Sequence, residues 1–401
     1  MRFILSEMKS KNFILSLMAF VFLNLALYLF IFLFNSKVPF NNNNYINNAH
    51  HYIQDSRVIL KKFKFINALG QYDSQWYLGI ADVGYPRKSS IIDTENKTVL
   101  SGLSYAFFPF YPLAISVFNI ILKNIELSAF VLTNILLILN FFSLFFVIKK
   151  LFSEELAIKT IFLLFFFPFS IFYRSYFTEG MLLLIITWFS YFLVLNRYFL
   201  SSLLLGLLNI TKGNGILLNL VFFYYLTKFL KGKKNFYQIK EIILKSVFAF
   251  TPFIVFLIYI YFQTGSLSYL IEIRDSWVPN EFPLLRLLHN FLSILSFLKL
   301  PLHLFHNSKI DALVVLITLQ LLLLGRKKIP LKLWLVSFSL WLTPLMFSDL
   351  MSFTRHQTVS FPLFLYLSMV LKGPVYQAVF AVFIAGLFIV SLFFINWYWI
   401  G

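Results

Sequence analysis

The sequence predicts an all-α, polytopic membrane protein, and two features of its composition carry that prediction. Hydrophobic residues make up 60% of the 401 residues and charged residues only 12%, whereas a soluble domain has roughly 25% charged residues. Apolar runs of about 18 residues or more, each long enough for a membrane-spanning helix, recur from one end of the chain to the other. The whole chain, residues 1–401, is therefore predicted to form a single integral membrane domain.

The first apolar segment, residues 13–34, is predicted to be a retained first span. It is too long for the apolar core of a signal peptide, and it lacks a small-residue cleavage site. Arg2, Lys9 and Lys11 lie before or at its start, and short basic flanks stay in the cytoplasm. The N-terminus is therefore expected inside, and the long polar region that follows, residues 35–126, is expected to be the first extracytoplasmic loop.

Residues 107–122 are predicted to be a juxtamembrane or re-entrant helix of this first loop rather than a span. The stretch is short for a span and contains Pro109 and Pro112, which disfavour a continuous apolar helix. With this placement Lys149 and Lys150 fall on the cytoplasmic side, as do the later basic clusters.

About eleven spans result, each an apolar run between polar connections. They are residues 13–34, 127–148, 156–173, 177–195, 199–211, 214–230, 243–262, 309–325, 331–347, 357–371 and 375–398. The fifth and sixth are short for an apolar core of roughly 30 Å, so their hairpin is expected to form a polar notch beside other protein. Residues 284–306 are amphipathic and could add a further hairpin, which leaves thirteen spans as the alternative.

Composition and pattern exclude several kinds of chemistry. The chain has no cysteine, so disulfides, thiolate metal sites and cysteine nucleophiles are ruled out. The net charge is +18, but the basic residues form no continuous stripe along a soluble domain. The excess is therefore attributed to membrane topology and to contact with anionic lipid rather than to nucleic-acid binding. No glycine-rich phosphate loop follows a strand pattern, so a nucleotide-binding site is not expected. His303 and His306 have no evident third ligand, so no metal site is predicted, while dependence on a divalent metal is left open.

Three charged residues stand out because they lie at the outer ends of predicted spans. Glu179 lies in a short connection between two apolar spans, where an acid is costly unless it is solvated or paired. It is expected either to pair with Arg174 or to bind substrate hydroxyls or a cation. Lys212 and Arg355 hold equivalent positions, where simple snorkelling to the interface is the alternative to a functional role.

The densest pattern of aromatic, acidic and glycine residues lies in the first loop. Residues 69–86 read Leu-Gly-Gln-Tyr-Asp-Ser-Gln-Trp-Tyr-Leu-Gly-Ile-Ala-Asp-Val-Gly-Tyr-Pro, and residues 105–113 read Tyr-Ala-Phe-Phe-Pro-Phe-Tyr-Pro-Leu. This pattern resembles that of the PIG-V-like mannosyltransferases, which belong to the GT-C integral-membrane glycosyltransferases. The shared pattern is, in order, an aromatic residue and Asp, then Trp-Tyr, Ile-Ala, Gly-Tyr and Phe-Phe-Pro-x-Tyr-Pro.

Later blocks resemble the same family in the same order, so that the resemblance covers residues 70–362. These blocks are Phe167 to Phe172 with Thr178-Glu179, Thr211-Lys212 with Gly215, Thr264-Gly265 to Trp277, and Arg355-His356 with Phe361-Pro362. The sequence departs from the family where the usual Trp, Ser, Arg and Tyr are replaced by Tyr72, Gly180, Lys212 and His356 respectively.

The resemblance implies a GT-C-like fold and the inverting transfer of a hexose, with mannose as the implied sugar, from a polyprenyl-phosphate donor to an acceptor hydroxyl. Such a transfer needs a carboxylate to take the hydroxyl proton and cations to stabilise the departing phosphate. Asp73 is the expected catalytic base, and a helix N-cap ahead of Ser74 is its alternative role. The expected ligands of the donor phosphate are Lys212, Arg355 and His356.

Further side chains are expected to contact the substrate: Tyr72, Trp76, Tyr77, Asp82, Glu179 and Trp277. The aromatic residues of this set in the first loop, together with Tyr85, could stack on sugar faces or could hold the loop at the lipid headgroups. For most of them the aromatic belt is the favoured interpretation. Loss of the charge of Lys212 or Arg355 is expected to slow transfer while leaving folding nearly intact.

The expected partners are a lipid-linked sugar donor, membrane lipid, and a glycolipid, glycan or protein acceptor, with no nucleic acid and no firmly predicted cofactor. A partner subunit is left open. The high content of Phe, Asn, Ile and Lys indicates an AT-rich coding sequence and hence a bacterial plasma membrane, with the active site on its outer face. The alternatives to an enzyme are a lipid-linked saccharide flippase or transporter and a pseudo-enzyme that holds a partner glycosyltransferase. A transporter is disfavoured because the sequence has no internal repeat and its charges cluster near one face.

Overall fold

The computed structural model describes residues 10–48, 52–87, 102–232, 234–274, 281–300 and 308–401. Within these ranges the chain is built from α-helices and short 3₁₀ turns and contains no strand. The all-α class predicted from composition is therefore confirmed.

The helices are named in chain order. The first nine are α1 (Lys11–Phe34), α2 (Asn42–Asn48), α3 (Ser56–Ile59), α4 (Phe65–Ala68), α5 (Ser74–Val83), α6 (Phe110–Leu122), α7 (Ile125–Leu151), α8 (Glu154–Phe165) and α9 (Glu179–Val194). They are followed by α10 (Tyr198–Asn209), α11 (Ile216–Leu230), α12 (Asn235–Thr264), α13 (Tyr269–Arg274), α14 (Pro283–Leu295), α15 (Lys309–Gly325), α16 (Leu331–Phe347), α17 (Phe353–Gln357), α18 (Phe361–Val370) and α19 (Gly373–Ile395).

Within the described ranges, four helices, α1, α7, α12 and α19, are long and apolar enough to cross a membrane. Seven shorter apolar helices accompany them, namely α6, α9, α10, α11, α14, α16 and α18. A helix needs about 20 apolar residues to cross the hydrocarbon core unaided. The long helices indicate a membrane protein, as the composition predicted.

A helix overlaps each predicted span. The helix of the span predicted over 243–262 begins earlier, at Asn235, and two predicted spans extend three residues or more past the end of their helix. The span predicted over 156–173 stops being helical at Phe165, because Pro168 follows and proline is incompatible with a continuing helix. The span predicted over 375–398 ends as a helix at Ile395, and Trp397 then takes a left-handed backbone with φ of 64°. Both errors place extra irregular chain close to the site described below.

Side-chain caps define several helix starts. Asn124 accepts a hydrogen bond from the backbone N–H of Leu127 at the start of α7, and Ser153 accepts one from Leu156 at the start of α8. Asn and Ser are preferred N-caps because their side-chain oxygens satisfy backbone donors that the helix leaves open. The turn between α7 and α8 is therefore encoded locally.

The close approach of α10 and α12 depends on Gly206. A Cβ at this position would lie 2.4 Å from the carbonyl oxygen of Phe248 and 3.1 Å from Cγ of Pro252. Small residues allow helix backbones to approach closely, which is the usual basis of helix packing in membranes. The hairpin that follows α10 is thus held against the rest of the bundle.

The central helix for the site is α9, which packs against α7, α10 and α16. Helices α5 and α6 pack against each other and against α7, while the short α17 packs against α15 and α16. The start of α9, the start of α5, the turn after α10 and α17 are brought together by this arrangement.

Candidate functional site

Four charged side chains from distant parts of the chain meet in one ion-pair cluster, composed of Asp73, Glu179, Lys212 and Arg355. Nη1 of Arg355 donates to Oδ2 of Asp73 at 2.9 Å, and Nε of Arg355 donates to Oε1 of Glu179 at 2.6 Å. Nζ of Lys212 donates to the same Oε1 at 2.9 Å. Two cations and two carboxylates therefore form one continuous, charge-balanced chain of contacts.

Burial differs along the ion-pair cluster. The side chain of Arg355 is 4% exposed and that of Glu179 is also buried, whereas Asp73 is 26% exposed. Buried charges are tolerated when they are paired and hydrogen-bonded. Asp73 is accordingly the carboxylate of the cluster that a ligand can reach most directly.

Burial and the neighbouring charges together shift the pKa values of the basic groups beside the cavity. Burial alone would lower the pKa of Arg355, but the carboxylates of Glu179 and Asp73 raise it above its ordinary value. Burial, and then the positive charge of Arg355, lower the pKa of Lys212. Burial and the charges of Lys212 and Arg355 hold the pKa of His356 well below its usual range, so its imidazole is neutral at pH 7.

Asp73 owes its position to the turn that starts α5. Tyr72 has a left-handed backbone with φ of 51°, and Asp73 occupies the position just before the helix. Its side chain makes no hydrogen bond to the helix N-terminus and contacts Arg355 instead. The helix predicted to start at Ser74 is present with Asp73 at its N-cap position, but the side chain of Asp73 makes no capping hydrogen bond.

Glu179 is the first residue of α9, where the helix dipole favours a negative charge. The pairing with Arg174 that the sequence suggested is wrong. Arg174 is buried elsewhere, where its Nε donates to Oδ1 of Asn24 at 2.8 Å and its Nη1 donates to the carbonyl oxygen of Ser170 at 3.0 Å. Glu179 is paired with Lys212 and Arg355 because the turn after α10 and helix α17 both bring their charged side chains to the start of α9.

Aromatic rings surround the guanidinium of Arg355. Its Cζ lies 4.4 Å from the ring centroid of Phe177, 4.9 Å from that of Phe172 and 5.8 Å from that of Trp399. Cation–π attraction operates within about 6 Å of a ring centroid. Arg355 is therefore held on several sides, and simple snorkelling to an interface does not describe it.

A cavity of about 550 Å³ opens beside the ion-pair cluster. Lys212, Arg355 and His356 line it together with Asp73, so the expected phosphate ligands and the expected base face one space. The remaining lining comes from residues 47–48, Tyr72, Tyr77, the segment 106–108, the turn at 211–213, parts of 347–352, and Trp399.

The aromatic residues of the first loop divide into two groups. Tyr72 and Tyr77 line the cavity, whereas Trp76 is stacked on Phe107 with ring centroids 5.4 Å apart and is not among the lining residues. All three predicted aromatic contacts are buried within the protein, so their interpretation as a belt at the lipid headgroups is wrong.

Asp82 lies apart from the ion-pair cluster. It lines a second cavity of about 560 Å³ and accepts a hydrogen bond from the hydroxyl of Tyr52. At ~1.5 Å per residue along α5, Asp82 is ~13 Å from Asp73. The structure thus does not bring Asp82 to the other predicted site residues.

Several predicted positions fall outside the part of the chain that the structure describes. They include Trp277, expected to contact substrate, and His303 and His306, from which no metal site was expected. Among the described residues, no group of three or more His, Asp or Glu side chains could hold a metal ion.

Sequence analysis missed part of the cavity wall, above all Trp399. This residue belongs to the run Trp397-Tyr398-Trp399 that follows α19. Aromatic residues form 20% of the chain, and aromatic residues after an apolar run are typical of membrane interfaces. The run therefore carried no local signal that distinguished a cavity wall from an interfacial anchor.

Together, the fold and the site define a class, namely a helical membrane protein with an ion-paired, polar cavity among its helix ends. The chain matches no protein-family model, no curated protein and no solved structure.

Proposed function

We propose that the protein is a GT-C-like, inverting glycosyltransferase that moves a hexose from a polyprenyl-phosphate donor to an acceptor hydroxyl. Mannose is the hexose that the resemblance to PIG-V-like mannosyltransferases implies. One observation carries the proposal: the partly exposed carboxylate of Asp73 shares a cavity with Lys212 and Arg355. A base and two anion-binding groups thus face the same space.

The proposed reaction assigns a role to each of these groups. The acceptor oxygen attacks the anomeric carbon of the hexose while Asp73 accepts the hydroxyl proton. The bond between that carbon and the phosphate oxygen breaks, and the electron pair leaves with the polyprenyl phosphate. Lys212 and Arg355 stabilise the negative charge that develops on the departing phosphate.

The hydrogen-bonding capacity of the ion-pair cluster supports these roles. Its described contacts use two of the five N–H donors of Arg355 and one of the three of Lys212. Arg355 engages Oδ2 of Asp73, and among the described residues no hydrogen bond reaches Oδ1 of Asp73. Both cations therefore retain donors for a phosphate, and Asp73 retains an oxygen for the acceptor.

The proposed setting follows from the expected topology. With about eleven spans and a cytoplasmic N-terminus, the cavity faces the outer side of a bacterial plasma membrane. A lipid-linked donor is available there without a soluble sugar nucleotide. The acceptor is a hydroxyl of a glycolipid, a glycan or a protein.

The decisive experiment replaces Asp73 with Asn. The amide keeps the shape of the side chain but cannot accept the acceptor proton, so Asp73→Asn should lower turnover by about 10² or more. Purified protein would be incubated with radiolabelled polyprenyl-phosphate mannose and a membrane-lipid extract, and transfer of label would be counted. Donor binding should persist in the variant.

A matched control comes from the same helix. Asp82→Asn changes a carboxylate that lies in the second cavity, and it should leave turnover near the wild-type level. Full activity of Asp73→Asn would contradict the proposed base. Donor binding by the wild-type protein without any transfer would favour the flippase or the pseudo-enzyme instead.

A further inference from the structure

The segment after α19, residues 396–401, folds back into the protein and is largely buried. Trp397 and Ile400 are buried, and Trp399 is 8% exposed. The left-handed backbone of Trp397 is unfavourable for a residue with a Cβ, so surrounding contacts must hold it. The segment after α19 is thus an integral part of the fold.

The first loop supplies the contacts that hold this segment. Arg57 donates from Nη1 to Oδ1 of Asn396 at 2.6 Å and from Nη2 to the carbonyl oxygen of Ile395 at 2.6 Å. Nε1 of Trp397 donates to Oδ2 of Asp55 at 2.8 Å. Asp55 also forms an ion pair with Arg57 at 2.7 Å, so both anchors belong to one network.

Because the segment after α19 docks on the first loop, Trp399 lies beside the ion-pair cluster. Its ring lies edge-on to Tyr72, with centroids 4.9 Å apart and an interplanar angle of 73°. Its centroid is 5.8 Å from Cζ of Arg355. A Cβ on Gly401 would lie 3.2 Å from Cδ of Arg355, so the segment also packs along the aliphatic part of that side chain.

Trp399 differs from the two phenylalanines that flank the same guanidinium. Of the three rings within cation–π range of Arg355, Trp399 is the one that also lines the cavity. It contacts Tyr72, the neighbour of Asp73, as well. The ring therefore contacts the neighbour of the proposed base and also lies within cation–π range of the proposed phosphate ligand.

We infer that Trp399 is a positioning residue for Arg355. By docking on the first loop, the segment after α19 holds the guanidinium so that its remaining N–H donors face the cavity. This inference rests on the proposed function, because it takes the anion bound at Arg355 to be the phosphate of the lipid-linked donor. Arg355 touches the donor, and Trp399 acts through Arg355.

The test compares two substitutions in the full-length, purified chain. Trp399→Leu removes the aromatic ring, whereas Trp399→Phe retains one. The Leu variant should raise the Kd for polyprenyl phosphate, and the KM for the donor, about three- to tenfold, with a smaller change in kcat. The Phe variant should bind polyprenyl phosphate nearly as the wild type does. Thermal unfolding without ligand reports the packing contribution separately.

Two further variants separate positioning from packing. Tyr398→Leu alters the adjacent residue, whose ring packs on Phe393 with centroids 5.4 Å apart, and it should leave phosphate binding unchanged. Arg57→Gln loosens the docked segment without touching the cavity, so it should weaken binding too. The double variant Arg57→Gln/Trp399→Leu should bind no more weakly than Trp399→Leu alone, because both changes remove the same constraint.

The possible results point to different conclusions. Polyprenyl phosphate binding by Trp399→Leu at the wild-type level would overturn the positioning role, and so would equal weakening in the Phe variant. If Trp399→Leu does not fold, the Phe variant and Arg57→Gln still decide the question. Failure of the wild-type protein to bind polyprenyl phosphate at all would overturn the proposed function itself and, with it, the role of Trp399.

Discussion

Arg355 connects the two carboxylates of the ion-pair cluster, and its own burial makes that connection costly to break. It bonds Asp73 and Glu179 at 2.9 Å and 2.6 Å, whereas the one partner of Lys212 among the described residues is Glu179, at 2.9 Å. The two cations are therefore not equivalent, although both were expected from the sequence to act on phosphate without affecting folding.

Replacement of Arg355 by Gln should destabilise the protein as well as slow transfer. Loss of one partner of a buried ion pair leaves an uncompensated charge, which costs about 3–5 kcal/mol. Lys212→Gln is the matched control and should cost less, because Lys212 is more exposed and Glu179 would keep Arg355. Thermal unfolding of both variants in detergent checks this prediction, which fails if Arg355→Gln unfolds at the wild-type temperature.

Lys212 should set the alkaline limit of activity. Because its pKa is lowered by burial and by Arg355, Lys212 loses its proton at a lower pH than an ordinary lysine does. Transfer should therefore decline as pH rises through that lowered pKa. Lys212→Arg keeps its charge at all accessible pH values, so the decline should move to higher pH. Identical pH profiles of turnover in the two proteins would exclude Lys212 as the titrating group.

At the scale of elements, the packing of α10 against α12 determines where the turn carrying Lys212 lies. Gly206 permits this contact because α12 leaves no room for a Cβ. A second element, α14, is amphipathic, and Nδ2 of its buried Asn290 donates to the carbonyl oxygens of Leu345 and Ser348 at 2.9 Å each. Ser348 lines the cavity, so α14 supports one wall of the site from outside.

Gly206→Ala should destabilise the protein by about 1–3 kcal/mol, because the added methyl group overpacks a contact that cannot yield without a backbone shift. Gly180→Ala is the control within another helix, since its Cβ would meet Leu136 at an ordinary 3.5 Å. Thermal unfolding of the two variants measures the difference. A stability of Gly206→Ala equal to that of Gly180→Ala would show that α10 and α12 are further apart than described.

The whole molecule places its charged site at the ends of helices rather than along their middles. Asp73, Glu179, Lys212 and Arg355 lie before α5, at the start of α9, after α10 and in the short α17. The first loop joins the same end of the bundle, where Nδ2 of Asn67 donates to Oε1 of Glu126 at 2.9 Å. We therefore predict that all these groups lie on the same side of the membrane.

Single cysteines in this cysteine-free chain can test that prediction. Lys123→Cys and Gly213→Cys, both at exposed positions, should react with an impermeant maleimide in intact cells. Ser153→Cys and Lys328→Cys, also exposed, should react only after permeabilisation. Both lie in connections at the helix ends opposite to the charged site, on the expected cytoplasmic side. Labelling of Ser153→Cys in intact cells would contradict the expected topology and the non-spanning role of α6.

The sequence by itself determined the helical class, the presence of a helix in each apolar run and the charged residues that were candidates for a site. These properties depend on local patterns. Apolar length predicts a membrane helix, a capping residue marks a helix start, and a charge between two apolar runs is costly unless it is paired. Glu179, Lys212 and Arg355 were recognisable for that reason alone.

Only the tertiary structure decided which groups pair and which share a cavity. Arg355 and Asp73 are 282 positions apart in the chain, and Glu179 bonds Arg355 rather than its near neighbour Arg174. Asp82 belongs to a second cavity, and Trp399 reaches the ion-pair cluster because the segment after α19 docks on the first loop. The physical reason is that partners of buried charges are set by the packing of distant helices, which no local pattern in the sequence records.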